Sequence, residues 1–257
     1  MNSKLIGRRI HTDTGALSLL ITNYLFSLIT LLIIEKYQVN ITRLTLTAGL
    51  ALLNIMSLVR AHLGLASRRG LRDYLLFLIN TAPYLVLIPY LGIWLLIPLT
   101  PLALFMTEVV RRKGRSVVTN VSGTALIAST YLAWYILMGG DLVAKVIVAS
   151  LAWIIYHAFS ALYVEGKLPF RQGVKPYHSS LLWFISLPAL AYGLYTADGL
   201  LSLIVLIEPT IRAFIAVREG KLPMNDLRRS IRRIGICLLI ESLVLAGLIL
   251  VLVYGLP

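Results

Sequence analysis

Lysines and arginines are not scattered along this chain. They are sorted by alternate gaps between apolar runs. Nine such runs, each roughly 16 to 22 residues long, have the length needed to cross ~30 Å of hydrocarbon at about 1.5 Å per helical residue. They lie near 16–34, 44–59, 74–91, 92–110, 117–138, 142–163, 179–197, 199–217 and 234–254. The N-terminus and every second gap after it collect Lys4, Arg8 and Arg9; Arg60, Arg68, Arg69 and Arg72; Arg111, Arg112, Lys113 and Arg115; Lys167, Arg171 and Lys175; and the basic stretch from Arg212 to Arg233. Of 24 basic residues, only Lys36, Arg43 and Lys145 fall on the other side. The positive-inside bias therefore predicts a nine-span helix bundle in the cell membrane, with its N-terminus in the cytoplasm and its C-terminus outside.

Composition agrees. Hydrophobic residues make up 58% of the chain, against ~45 to 50% for soluble domains, and the mean hydropathy is +0.85. The formal net charge of +13 sits in short gaps between spans, where it sets topology and faces anionic headgroups, so a nucleic-acid partner is not expected. The lone cysteine, Cys237, excludes an intrachain disulfide and a cysteine zinc site. The first apolar run is span-length and lacks a small-residue cleavage pattern, so it reads as a retained helix. No hydrophilic stretch is long enough for a separate domain, and residues 1–257 read as a single integral membrane domain.

The outer connections are short, at Gly92, Gly139 to Asp141 and Ala197 to Gly199, which leaves function to the cytoplasmic side or the bundle interior. Pro83, Pro89, Pro98, Pro101, Pro188 and Pro209 should kink or locally open the third, fourth, seventh and eighth spans, either to shape packing or to line a cavity.

Polar groups inside spans cost free energy unless they are paired or wet, which makes them pointers to function. Asn54, Asn80, Asn120, His157 and Glu241 all fall between mid-membrane and the cytoplasmic end of their spans. Glu208 and Arg212 stand four apart on one helix face. This distribution predicts a polar cavity open to the cytoplasm beneath an apolar roof. The alternative is that these groups hydrogen-bond across helices and hold the bundle together. His11, His62, His157 and His178 place no facing pair well inside two helices, so haem is not expected, and no other cofactor is implied.

Certain local patterns resemble the UbiA superfamily of intramembrane prenyltransferases. Arg111-Arg112-Lys113-Gly114-Arg115 followed by Val118-Thr119-Asn120-Val121-Ser122-Gly123 is similar to their basic turn and small-residue helix start, and Trp153 to Phe159 with Gly173-Val174-Lys175 is similar to their sixth helix and second motif. Those enzymes hold magnesium diphosphate on aspartate-rich segments, because hard cations need oxygen ligands. Here the first segment keeps Asn54, but its aspartate places hold Ile55, Leu58 and His62; the second keeps Glu165 and has Pro169 at the other acidic place. One of five carboxylates remains, so the resemblance implies the fold without a metal site or prenyl transfer. A second resemblance is to the YwiC-like membrane proteins, on Asp13-Thr14-Gly15-Ala16, Arg115-Ser116, Tyr177-His178 and Arg232-Arg233-Ile234-Gly235 ahead of Glu241, although Thr14 stands where that family has histidine.

The leading expectation is a YwiC-like, UbiA-related protein that binds a membrane lipid or other anionic amphiphile in a cytoplasm-facing cavity. Asn54, Arg60, Arg111, Arg112, His157, Glu165, Arg171 and His178 are the candidate ligand-binding residues, and Glu208, Arg212 and Glu241 the intramembrane ion network. Two alternatives stand beside it. One is a transferase of the same fold using Glu165, His157 or His178 as acid or base. The other is a small secondary transporter with Glu208, Arg212 and Glu241 along its path, although no inverted repeat is evident.

Overall fold

The computed structural model describes residues 14–35, 40–67 and 70–255. Lys4, Arg8, Arg9, His11, Asp13, Lys36, Arg68, Arg69 and Pro257 lie outside the described residues. All regular elements among the described residues are helical. Among the described residues, seven helical stretches are long and apolar enough to cross a membrane: Thr14–Ile34, Ile41–Ser67, Leu71–Val110, Ala144–Lys167, Tyr177–Asp198, Leu200–Arg218 and Leu227–Leu252. We label the helices α1 (Thr14–Ile34), α2 (Ile41–Ser67), α3 (Leu71–Thr81), α4 (Leu96–Val110), α5 (Val117–Ala128), α6 (Thr130–Leu137), α7 (Ala144–Lys167), α8 (Tyr177–Asp198), α9 (Ile207–Arg218) and α10 (Leu227–Leu252).

The stretch from Leu71 to Val110 is not a rod. Between α3 and α4 the chain runs through two 3-10 segments, Ala82–Leu87 and Gly92–Leu95, separated by one α-turn at Ile88–Leu91. Pro83 and Pro89 lie in this region, where their missing N–H groups remove α-helical hydrogen bonds. Gly92 has φ of 52°, a conformation that favours glycine. The rings of Phe77 and Phe105 stack with centroids 5.9 Å apart, whereas an uninterrupted helix would separate them by ~42 Å. The stretch therefore doubles back on itself. Pro209 similarly follows a 3-10 segment, Leu200–Leu206, in the first turn of α9. Pro188, by contrast, lies inside α8 without ending the helix.

The second span was expected to end at residue 59. Instead α2 runs on to Ser67 through a π-helical turn at Asn54–Leu58. The run expected at 117–138 divides into α5 and α6 at Ser129, whose N–H still bonds the Ala125 carbonyl at 2.9 Å.

The core centres on α7, where Trp153, Tyr156 and Phe159 are fully enclosed. Helix α7 packs on α8 and α5, α1 packs on α6, and α9 on α8. Leu168, which precedes Pro169, takes extended backbone and ends α7, as the residue before proline tends to do. Three polar residues on one face of α1 fasten it inward. Asn23 donates through Nδ2 to the Ile127 carbonyl (2.7 Å) and Thr130 Oγ1 (3.0 Å) and accepts from Trp153 Nε1 (2.8 Å). Ser27 donates to the Tyr131 carbonyl at 2.8 Å, and Thr30 meets the Tyr131 hydroxyl at 3.3 Å. Tyr131 in turn shares a 2.6 Å hydrogen bond with the Tyr254 hydroxyl. Each such bond adds about 0.5 to 1.5 kcal/mol and, more importantly, avoids a stranded polar group.

Candidate functional site

The predicted polar residues separate into four local groups. The first is amide glue. Asn54, in the π-helical turn, donates to Asn80 Oδ1 (2.9 Å) and accepts from the Tyr84 hydroxyl, which itself accepts from Trp134 Nε1 (2.8 Å). Ser57 completes the set by exchanging bonds with the Asn80 amide at 3.0 and 2.8 Å. Asn54 and Asn80 are fully enclosed, and the network joins α2, α3 and α6.

The second group contains Glu165, Arg171 and Asn120. Glu165 Oε2 lies 2.6 Å from Arg171 Nε, and Oε1 accepts from Asn120 Nδ2 at 2.5 Å. Arg171 also donates to the Arg115 carbonyl at 2.7 Å. The Glu165 carboxylate is thus engaged by a guanidinium and an amide. Two separate candidate ligands prove to be partners of one another.

The third group surrounds α9 and α10. Arg212 Nε approaches Glu241 Oε2 at 3.6 Å, and its guanidinium lies 4.4 Å from the Tyr163 ring centroid, a cation–π geometry. The Tyr156 hydroxyl reaches the same Glu241 oxygen at 3.5 Å. Tyr163 donates to Glu219 Oε2, which also pairs with Lys167 at 3.4 Å. Lys221 donates to the carbonyls of Leu168 (3.2 Å) and Arg171, tying this region to the turn after α7. Glu208 is the exception, since its Oε2 is enclosed without a hydrogen-bond partner.

His157 and His178 take different surroundings. His157 is buried against the edges of Trp153 and Tyr156, with centroids 4.4 and 5.4 Å away, and its Nε2 finds no hydrogen-bond partner. His178 serves its own helix start: Nδ1 accepts from the Lys175 backbone N–H at 2.9 Å, and the ring stacks on Tyr177.

The fourth group is the basic turn between α4 and α5. Glu108, buried and absent from the sequence-derived candidates, accepts from Ser116 Oγ at 2.7 Å and lies 3.9 Å from Arg111. Arg112 has φ of 60°, the left-handed region that costs a residue with a side chain. Gly114 is buried against α2, where any Cβ would collide with the Ala66 carbonyl. The close approach requires glycine there. A cleft of about 440 Å³ lies between Ala66–Ser67 and residues 112–116. Arg60 stands exposed on α2, apart from this turn's ion pairs.

A second concavity is of another kind. A groove of about 800 Å³ runs along α4, α5 and α7, lined from Trp94 through Leu104, Ala125 and Ile154 to Val117 and Val118. Its few hydroxyls are occupied: Ser122 donates to Val118 O at 2.6 Å and Thr100 to Leu96 O at 2.7 Å. None of the eleven sequence-derived site residues lines it. The groove is apolar and the sequence-derived residues lie elsewhere: Glu165 closes on Arg171, Arg212 faces Glu241, and Arg112 lines the smaller cleft.

Residues that the sequence reading missed include Asn23, Glu108, Tyr163, Glu219 and Gly114. Asn23 had a readable signal, since Asn23, Ser27 and Thr30 recur at helical spacing on one face of an otherwise apolar run. Glu108 and Ser116 are local to a single turn, but Tyr163 and Glu219 meet only through the tertiary fold.

Searches of protein-family models, curated proteins and solved structures find no match to this chain.

Proposed function

We propose that this protein is a nine-span membrane protein, N-terminus in the cytoplasm and C-terminus outside, that holds an anionic amphiphile. The span count follows from counting the doubled-back Leu71–Val110 stretch as two crossings and α5 with α6 as one. The orientation follows from the sorting of lysines and arginines. The YwiC-like, UbiA-related kinship rests on the sequence patterns and forms part of the same proposal.

One observation carries the functional reading. The apolar groove begins at Val117, one residue after the basic turn ends at Ser116. A hydrocarbon chain in the groove would thus place its charged head beside Arg111, Arg112, Lys113 and Arg115, with Arg171 at the same turn. The groove volume is within the ~300 to 1,000 Å³ of ordinary ligand pockets. Mass spectrometry of lipids that copurify in mild detergent is the test. We expect an anionic amphiphile enriched well above its share of the source membrane; a bulk-like lipid profile overturns the reading. For topology, a reporter fused after Pro257 should read the outer side, and a cytoplasmic signal overturns the orientation.

The transporter reading keeps one supporting observation, the Arg212–Glu241 pair with Glu208 beside it. Substrate-dependent charge movement in proteoliposomes, lost in Glu208→Gln, would favour it over lipid binding.

A further inference from the structure

We infer that the cleft between Ala66–Ser67 and the 112–116 turn is a phosphate-binding subsite, selective for a phosphomonoester over a carboxylate or a zwitterionic head. This deepens the amphiphile reading and rests on it. Three cations, Arg112, Lys113 and Arg115, stand exposed on a turn whose neighbouring carboxylate, Glu108, is taken by Ser116 and Arg111. Among the described residues, none of the three lies within ion-pair distance of a carboxylate. The turn is also fixed in place. Gly114 seats it on the Ala66 carbonyl, and Arg171, itself anchored to Glu165, holds the Arg115 carbonyl from the other side at 2.7 Å.

Such an arrangement concentrates positive charge on a preorganised concavity. Guanidinium groups offer planar, forked N–H donors that match phosphate oxygens, and an ammonium adds a point charge. A phosphomonoester carries up to two negative charges and three terminal oxygens, enough to engage all three side chains at once, as in phosphorylated side chains. A carboxylate has one charge and two oxygens. A phosphocholine head brings its own cation into a basic cleft. The cleft, at about 440 Å³, is large enough for the head group alone, and the groove lining starts at Val117, next in sequence to Ser116 of the cleft.

Native mass spectrometry of the purified full chain can test this, with phosphatidic acid, oleic acid and phosphatidylcholine offered at equal concentration. The expected result is at least about tenfold preferential retention of phosphatidic acid, since each surface Lys or Arg contributes appreciably to anionic-lipid binding. Replacing the three exposed cations together, in R112Q/K113Q/R115Q, should remove the preference. V118W, at an exposed groove position, should weaken phosphatidic acid binding without altering phosphate competition. If inorganic phosphate displaces phosphatidic acid and V118W changes nothing, the phosphate subsite stands and its source is a free phosphate compound. Equal retention of all three lipids, insensitive to the triple substitution, overturns the phosphate subsite and leaves the amphiphile reading in place. Retention of none of the three, with no effect of phosphate, overturns both.

Discussion

Two kinds of polar region in this bundle are built on opposite principles. Around Asn23 and Asn54 the side chains are neutral, short and matched: the Asn23 amide uses both its oxygen and its nitrogen, and the Asn54–Asn80–Ser57 set is closed by Tyr84. Around α9 and α10 the groups are charged and their pairing is incomplete. One guanidinium, Arg212, faces Glu241 at 3.6 Å, while Glu208 keeps an enclosed oxygen without a partner. A matched neutral network fixes helices in register and has nothing left to offer a ligand. An incompletely paired ionic one, in low dielectric, is sensitive to the loss of any member.

Substitutions can break or sharpen this contrast. The largest effect is expected for Arg212→Leu, which strands Glu241; we expect a loss on the order of 3 kcal/mol, read as thermal unfolding in detergent. Adding Glu241→Leu should return most of that loss, and adding Glu208→Leu should return less, because Glu208 is not the paired carboxylate. Equal rescue by both would show that charge balance, not the observed pairing, governs this region. Next comes Asn23→Leu, which leaves Trp153 Nε1 and Thr130 without their partner; a loss of about 2 kcal/mol is expected, with no second-site rescue by removing a charge. Gly114→Ala should cost about 1 to 3 kcal/mol by overpacking the turn against α2, measured by the same assay. Arg111→Gln, at an exposed side chain 3.9 Å from Glu108, should change stability by less than about 0.5 kcal/mol. A large loss there would mean that the basic turn is held by its charges and not by the Gly114 approach.

How much of this was legible before the structure depends on the range of the interactions. Apolar run lengths are local, and they mark out helical stretches, apart from the extension of α2, the division at Ser129 and the 3-10 segments at Ala82–Leu87, Gly92–Leu95 and Leu200–Leu206. The depth argument singled out polar residues within the apolar runs, but it could not say which would meet. Glu165 and Arg171 are six apart across the end of α7, a separation with no helical rule behind it once Pro169 breaks the helix. The groove was invisible because it is defined by what is missing between α4, α5 and α7. Periodicity reports which face is apolar; it does not report how closely two apolar faces approach.

The π-helical turn in α2 shows how a single local choice governs the neighbourhood. Such a turn accommodates one residue more than an α-turn, so the helix beyond it is rotated by about a quarter-turn relative to a straight continuation. Before the turn, Ile41–Leu53 lies against α6; after it, Val59–Ser67 lies against α3. The second half also lays His62 on Phe105, with centroids 4.8 Å apart, and so close to Gly123 that a Cβ there would displace the His62 ring. The turn thus acts as a phase shifter, letting one continuous helix address two different walls of the bundle. Deleting one residue between 54 and 58 would re-phase everything from Val59 onward, swinging His62 off its aromatic seat and lifting Ala66 from under Gly114.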